Sequence, residues 1–152
     1  DRFLLQIDVG YPDEESEKRM LIATTGVADE KPEQVLTAED LIAAQRLVRS
    51  VPVGDAVADA ILTLVRAGRP NEDGDPSIRN HLSWGPGPRA SQALMLATRA
   101  RALLQGRFAP SIDDVVALAP PVLRHRMALT FSARADGITV DGVIGRLCAK
   151  LG

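Results

Sequence analysis

The stretch from Pro88 to Gln105 is the feature that most restricts how this chain can fold. Proline suits the first turn of a helix and glycine its end, and Pro88 and Gly106 stand at these two places. Nearly every side chain between them is apolar or small. The polar exceptions are Gln92, Arg99, Arg101 and Gln105. A helix that is apolar nearly all round must be covered by neighbours, so we predict the central helix of an all-α bundle.

Local start and stop signals predict five further helices. The first begins at Asp13 with an acidic first turn that suits the helix dipole, and Gly26 and Pro32 bracket its end. Thr37 caps the second, with Asp40 near the acidic position of a capping box. The remaining three run from about Asp55 to Ala67, from a cap at Ser111, and through the apolar positions Val140, Val143, Ile144, Leu147 and Leu151. The predicted fold class is therefore mainly α.

Two short β elements are predicted beside the helices. Residues 3–9 form an apolar run rich in β-forming residues, which is typical of a buried strand. Residues 127–131 and the stretch around Ile138 are predicted to pair as a small hairpin across Asp136-Gly137. Pro120-Pro121 is expected to end the helix before it and restart the chain.

Composition and missing motifs limit the function. A net charge of −2 and an aromatic content of 3% argue against nucleic-acid binding. Two histidines and Cys148 cannot assemble a typical zinc site, and no Gly-x-x-x-x-Gly-Lys-Ser/Thr phosphate loop occurs. An active site complete within this chain is therefore not expected.

The expected setting is a reducing cytoplasm. A single cysteine cannot form an internal disulfide, and no apolar run approaches the roughly 20 residues of a membrane span. The sequence opens on Asp1 with neither a start methionine nor a signal peptide. We interpret this opening as a cut inside a longer protein.

Arg89 is the residue whose position most suggests a ligand. It follows a loop at 69–87 that is punctuated by prolines and glycines, and loops of that length are usually functional or disordered. A helix N-terminus offers free N–H groups, and an arginine there adds a bidentate donor for phosphate oxygens. Taken alone, this pattern fits either an anion site or a salt-bridging surface arginine. Arg2 has no local signal of its own.

Several segments together resemble the MoxR family of AAA+ ATPases. They occur in that family's order and spacing from residue 1 to about 127, and individually each is modest. The segments are Asp1-Arg2-Phe3 before an apolar run, Tyr11-Pro12, residues 36–41 with Gln45, residues 48–51, Gly87-Pro88-Arg89-Ala90-Ser91, and residues 119–126. Residues 128–152 match only loosely. The chain is thus similar to the C-terminal lid region of such an ATPase, without the core that carries the Walker motifs.

The resemblance implies roles for two arginines. Arg2 of the Asp-Arg-Phe motif would be the arginine finger, acting in trans on the γ-phosphate of a neighbouring subunit. Arg89 would be the sensor-2 residue, touching the γ-phosphate bound to its own subunit. Pro86-Gly87-Pro88 departs from the family pattern by an extra proline, which would stiffen the approach to the helix. His125 is interpreted as structural, whereas Trp84 could either pack its loop on the bundle or face a partner.

The resemblance also divides the chain into three parts. Residues 1–10 would be the last strand of the AAA+ α/β core, residues 11–127 the helical lid, and residues 128–152 a hairpin and helix packing on that lid. The parent protein would be a Mg-dependent ATPase that forms homo-oligomeric rings, expected to be hexamers, and works as a chaperone-like machine in complex or metalloenzyme maturation. A von Willebrand factor A-domain protein is a possible partner. The fragment alone is expected to bind neither ATP nor Mg stably and to be inactive.

Two other functions stay open at this point. A free-standing helical interaction module would share the fold without catalysis, and a start codon directly before Asp1 would support it. An upstream region with a Walker A motif would dismiss it. A helical nucleic-acid-binding domain is the second alternative, and the acidic balance of the chain disfavours it.

Overall fold

The protein is described by a computed structural model that covers residues 2–26, 32–71 and 73–151. These residues are mostly helical, which confirms the predicted fold class. The helices are α1 (Glu14–Thr25), α2 (Ala38–Ser50), α3 (Asp55–Ala67), α4 (Pro88–Leu104), α5 (Ile112–Leu123), α6 (Phe131–Ala135) and α7 (Val140–Cys148). Two short 3-10 turns cover Arg79–His81 and Arg124–Arg126, and the strands β1 and β2 cover Leu82–Trp84 and Ala128–Leu129.

Helix α4 lies at the centre of the bundle, as its sequence predicts. It packs against α2, α3 and α5, and α7 covers α3 and α5 from another side. Ala90, Leu94, Thr98 and Ala102 follow each other at four-residue intervals on its inner face and are fully buried. Because three of these four side chains are small, the backbones of neighbouring helices can come close to α4. The core is completed by apolar residues of the surrounding helices, among them Ile61, Leu64, Val115, Leu123 and Ile144.

Helix α2 begins where its cap predicts but buries little of its surface. The Thr37 side chain accepts from the Asp40 backbone N–H at 3.1 Å, and the Asp40 side chain accepts from the Thr37 backbone N–H at 3.0 Å. This reciprocal pair confirms the predicted capping box. Leu41, Ile42 and Leu47 nevertheless remain exposed, because α2 lies at the edge of the described bundle.

The prediction of a strand at residues 3–9 is wrong, because these residues form no strand in this structure. The segment has no strand geometry and runs irregularly along the end of α5, where the Gln6 N–H donates to the Pro121 carbonyl at 2.8 Å. A strand needs a neighbouring strand for its backbone hydrogen bonds, and the described residues offer none at this place. The apolar pattern therefore indicates a segment that could be buried, but no strand among the described residues pairs with it. Phe3 and Ile7 stay exposed.

The hairpin predicted across Asp136-Gly137 is also wrong. Strand β2 pairs antiparallel with β1 instead, with Leu82 opposite Leu129. The residues after β2 turn into α6, because the Thr130 hydroxyl caps the helix by accepting from the Ala133 N–H at 3.3 Å. Gly137, at a φ of +74°, then lets the chain turn towards α7.

Pro120-Pro121 does not break α5, contrary to the prediction. The helix continues through both prolines to Leu123. Each proline removes one helical N–H, so the carbonyls of Val116 and Ala117 lose their usual donors. Both residues are exposed, so water can replace those donors. The last turn of a helix tolerates this loss more readily than its middle does.

Candidate functional site

The loop at 69–87 is anchored at both ends and leads directly into the first turn of α4. Asp75 accepts from the Ser77 N–H at 2.9 Å and from its hydroxyl at 2.6 Å, and Lys150 forms an ion pair with the same carboxylate. These contacts hold the pKa of Asp75 at about 2, with the hydrogen bond from Lys150 as the largest cause. Ile78 is buried in the core. The described part of the loop is therefore packed on the bundle.

Gly85 brings the end of this loop against its beginning. A β-carbon at Gly85 would lie 2.5 Å from the Gly68 carbonyl oxygen and 2.9 Å from the Arg69 α-carbon. No side chain fits in that space without moving backbone atoms. The close approach fixes where the chain enters α4, and Trp84, just before it, is exposed at 66%. Most of the Trp84 side chain is therefore not covered by the bundle, and a partner at this residue stays a prediction.

The first turn of α4 begins with a proline directly after its cap, and the Ala90 N–H in this turn donates to the Gly87 carbonyl at 2.9 Å. Gly87 is the N-cap with no side-chain hydrogen bond, and Pro88 occupies the first helical position. The leading N–H groups of a helix have no partner within the helix, and they carry the positive end of its dipole. Arg89 is exposed in this turn. The helix start predicted at Pro88 is therefore confirmed, whereas anion binding at this terminus stays a prediction.

Arg2 and Arg89 line the same cleft. The cleft has a volume of about 420 Å³. Its lining residues are Arg2, Leu4, Arg89, Gln92, Ala93, Leu96 and Arg126. Three arginines from separate parts of the chain therefore line one cleft, which gives it positive charge of the kind that attracts phosphate oxygens. Sequence reasoning singled out two of these arginines and missed Arg126.

Arg126 is the buried member of the group, with an exposed fraction of 3%. Its guanidinium donates to the Leu4 carbonyl at 3.3 Å and also to the carbonyls of Phe3 and Val122. Within the described residues it makes no ion pair, and burial lowers its pKa. The only sequence signal for Arg126 is its place in the Leu-Arg-His-Arg segment, in which the sequence predicted a role for His125 alone.

The other two residues of the 3-10 turn after α5 also contact the N-terminal segment. The His125 Nε2 lies 3.2 Å from the Phe3 carbonyl oxygen, which fits the structural role predicted for this histidine. Arg124 donates to Asp141 at 2.9 Å and forms an ion pair with Asp8. These carboxylates raise the pKa of Arg124, Asp141 most strongly.

The described residues carry no other arrangement typical of catalysis. No group of three or more histidine, cysteine, aspartate or glutamate side chains could hold a metal ion among residues 2–26, 32–71 and 73–151. Cys148 is buried, and burial raises its pKa. No helix in these ranges is both long and apolar enough to cross a membrane.

The model of the AAA lid domain family matches residues 77–146 of the chain. The chain belongs, more specifically, to the lid regions of MoxR-type AAA+ ATPases. Over 97% of its length it is 38% identical to the chaperone MoxR1 of Mycobacterium tuberculosis, of which it covers 39%. It is 35% identical, over 99% of its length, to the uncharacterised protein YeaC of Bacillus subtilis, of which it covers 45%.

A solved structure supports the same assignment. The chain superposes on a candidate ATPase from Cytophaga hutchinsonii with a TM-score of 0.87 and 25% sequence identity. The match covers 99% of this chain and 46% of that one. The chain thus spans less than half the length of each of these relatives.

Proposed function

We propose that this chain is the lid and sensor region of an ATPase that couples ATP binding and hydrolysis to chaperone-like remodelling, including the maturation of complexes or metalloenzymes. The observation that carries the proposal is the cleft at the first turn of α4, where Arg2, Arg89 and Arg126 meet. The name of the relative MoxR1, a chaperone, supports the remodelling role.

In this proposal Arg89 is the sensor-2 residue. Its guanidinium donates to the γ-phosphate of ATP bound to its own subunit, at the positive end of the α4 dipole. ATP and Mg are the cofactors of the complete ATPase. The phosphate loop and the magnesium-binding acid are not in these 152 residues and would be supplied by the nucleotide-binding core.

Arg2 is proposed as the arginine finger, acting on the γ-phosphate of a neighbouring subunit. Because Arg2 is exposed and Phe3 beside it is 79% exposed, the side chain can reach a partner across a subunit boundary. Both arginines line one cleft here, so the trans role requires Arg2 to face the neighbour when subunits assemble. Assembly would be a homo-oligomeric ring, which we propose to be a hexamer, with a von Willebrand factor A-domain protein as a partner.

The test is the ATPase activity of the full-length protein, as wild type and as the Arg2→Ala and Arg89→Ala variants. Each variant is expected to lose about a thousandfold in turnover if it acts on the γ-phosphate. Arg146→Ala, at an exposed position of α7 outside the cleft, is the matched control and should retain full activity. Mixing each variant with subunits that lack the phosphate-loop lysine separates the roles, because only a residue acting in trans is rescued.

Full activity in both variants would favour a helical interaction module instead. An apolar groove of about 560 Å³ is the observation behind this alternative. Leu5, Val48, Leu96, Leu104 and Leu118 are among the residues that line it. Such a groove can accept apolar side chains of a protein partner without any nucleotide chemistry.

A further inference from the structure

The 3-10 turn Arg124–Arg126 holds the segment that carries Arg2. Arg126 donates to the carbonyls of Phe3 and Leu4, the two residues that directly follow Arg2, and His125 lies 3.2 Å from the Phe3 carbonyl oxygen. The Gln6 N–H bonds to the Pro121 carbonyl at 2.8 Å. These contacts join parts of the chain that are more than a hundred residues apart in sequence.

The chemistry at Arg126 points to a positioning role. Burying a guanidinium without a carboxylate is unfavourable, and an apolar side chain of similar volume would fill the same space with less penalty. What an apolar side chain lacks is a planar set of donors that can reach several acceptors at once. Arg126 uses that set on Val122, at the end of α5, and on the backbone next to Arg2.

We propose that Arg126 is a positioning residue for Arg2, fixing the finger segment to the lid. Helix α5 packs on α4, and α4 carries Arg89 in its first turn. Arg126 therefore makes the sensor and the finger parts of one body, so that a lid rotation set by the nucleotide in one subunit moves the finger aimed at the next. This inference rests on the proposed function.

The experiment uses the full-length ATPase and mixed rings. Arg126→Met keeps most of the side-chain volume and removes the donors. On its own, Arg126→Met is expected to lower ATP turnover at least tenfold, which is the same kind of loss as that expected for Arg2→Ala. The variant is then mixed with subunits that lack the phosphate-loop lysine, which have a dead site but a normal finger. Arg126→Met subunits keep an intact nucleotide site. When equal amounts are mixed at random, about a quarter of all sites pair such a subunit with a neighbour that has a normal finger, so about a quarter should regain activity, as is also expected for Arg2→Ala.

Two results would overturn the inference. If Arg2→Ala is rescued by mixing and Arg126→Met is not, Arg126 acts on its own subunit's site or only on folding, and the proposal fails while the proposed function stands. If Arg2→Ala itself is not rescued, the trans role of Arg2 fails and the positioning role fails with it.

Two further variants separate positioning from stability and from charge. Arg107→Ala removes another partly buried arginine that does not touch the finger segment, and it should lower the melting temperature while turnover below that temperature is kept. Arg126→Lys retains the charge but cannot reach three carbonyls. Loss of activity in the lysine variant supports positioning, whereas full activity would show that the bonds to several carbonyls are dispensable and would contradict the proposal.

Discussion

At the residue scale, Asp114 is the most tightly bound charge of the described bundle. Its carboxylate is 2% exposed and accepts from Arg107 at 2.6 and 2.8 Å, from Arg101 at 3.1 Å and from the Ser111 N–H at 2.8 Å. The hydrogen bonds from Arg107, as the largest cause, hold the pKa of Asp114 at about 2, below its usual 3.8. This cluster joins the end of α4 to the start of α5.

Asp114→Asn should lower the free energy of unfolding by about 2 kcal/mol, because the neutral amide loses the charge-assisted bonds while both arginines remain partly solvated. The folded-state pKa lies below the unfolded one. The wild-type contribution is therefore present above about pH 4 and lost as the pH falls towards 2. Urea unfolding between pH 7 and pH 2 measures it.

Asp113→Asn is the matched control for Asp114→Asn, since Asp113 is exposed in the same first turn. It should change stability by only a few tenths of a kcal/mol through the helix dipole. Equal effects of the two substitutions would show that the buried cluster contributes nothing beyond the dipole.

At the scale of elements, the start of α4 depends on the contact between the two ends of the loop at 69–87. Gly85 lies against the backbone of Gly68 and Arg69, and Gly87 caps α4 two residues later. Since Arg89 follows within the first turn, any displacement of this loop end shifts the guanidinium in the cleft. The position of Arg89 is thus set in part by packing outside the helix that carries it.

Gly85→Ala should destabilise the protein by about 1–3 kcal/mol, because the added methyl group meets backbone atoms at 2.5 Å. In the full-length ATPase it should also lower turnover. Gly87→Ala is the control, since a β-carbon there has nothing within 4 Å, and it should cost only about half a kcal/mol as a weaker N-cap. Thermal unfolding of both variants checks the difference. Similar melting temperatures would show that the loop end adapts freely.

At the scale of the whole molecule, the chain places Arg2 and Arg89 along one cleft, and its sequence contains no phosphate loop. The apolar residues of α1 and α2, such as Met20, Ile22 and Leu41, are exposed, and α1 has no buried residue. The division at residues 10 and 127 stays a prediction.

We expect the 152-residue chain to hydrolyse no ATP, because its sequence contains no phosphate loop to bind the β- and γ-phosphates with magnesium. A radiometric hydrolysis assay of the isolated chain measures this, with the full-length ATPase as the positive control. Turnover by the isolated chain that Arg89→Ala abolishes would contradict the expectation and place a complete site within these residues.

The sequence by itself determined most of the helices and where several of them begin, although it missed α6 and the continuation of α5 through Pro120-Pro121. Thr37 with Asp40, Pro88 with Gly106, and Ser111 act through neighbours within a few residues, so their effect can be read locally. The motif resemblance likewise depended only on order and spacing, and the family match confirms it. Arg89 could be singled out because a helix start is a local feature.

Only the tertiary structure decided which distant residues meet. The pairing of β1 with β2, the irregular course of residues 3–9 and the burial of Arg126 depend on contacts between parts of the chain far apart in sequence. A local sequence pattern carries no information about such long-range contacts. A strand-forming run needs a partner strand, and a buried arginine needs acceptors that the fold brings to it. Chain packing therefore placed Arg2, Arg89 and Arg126 around one cleft.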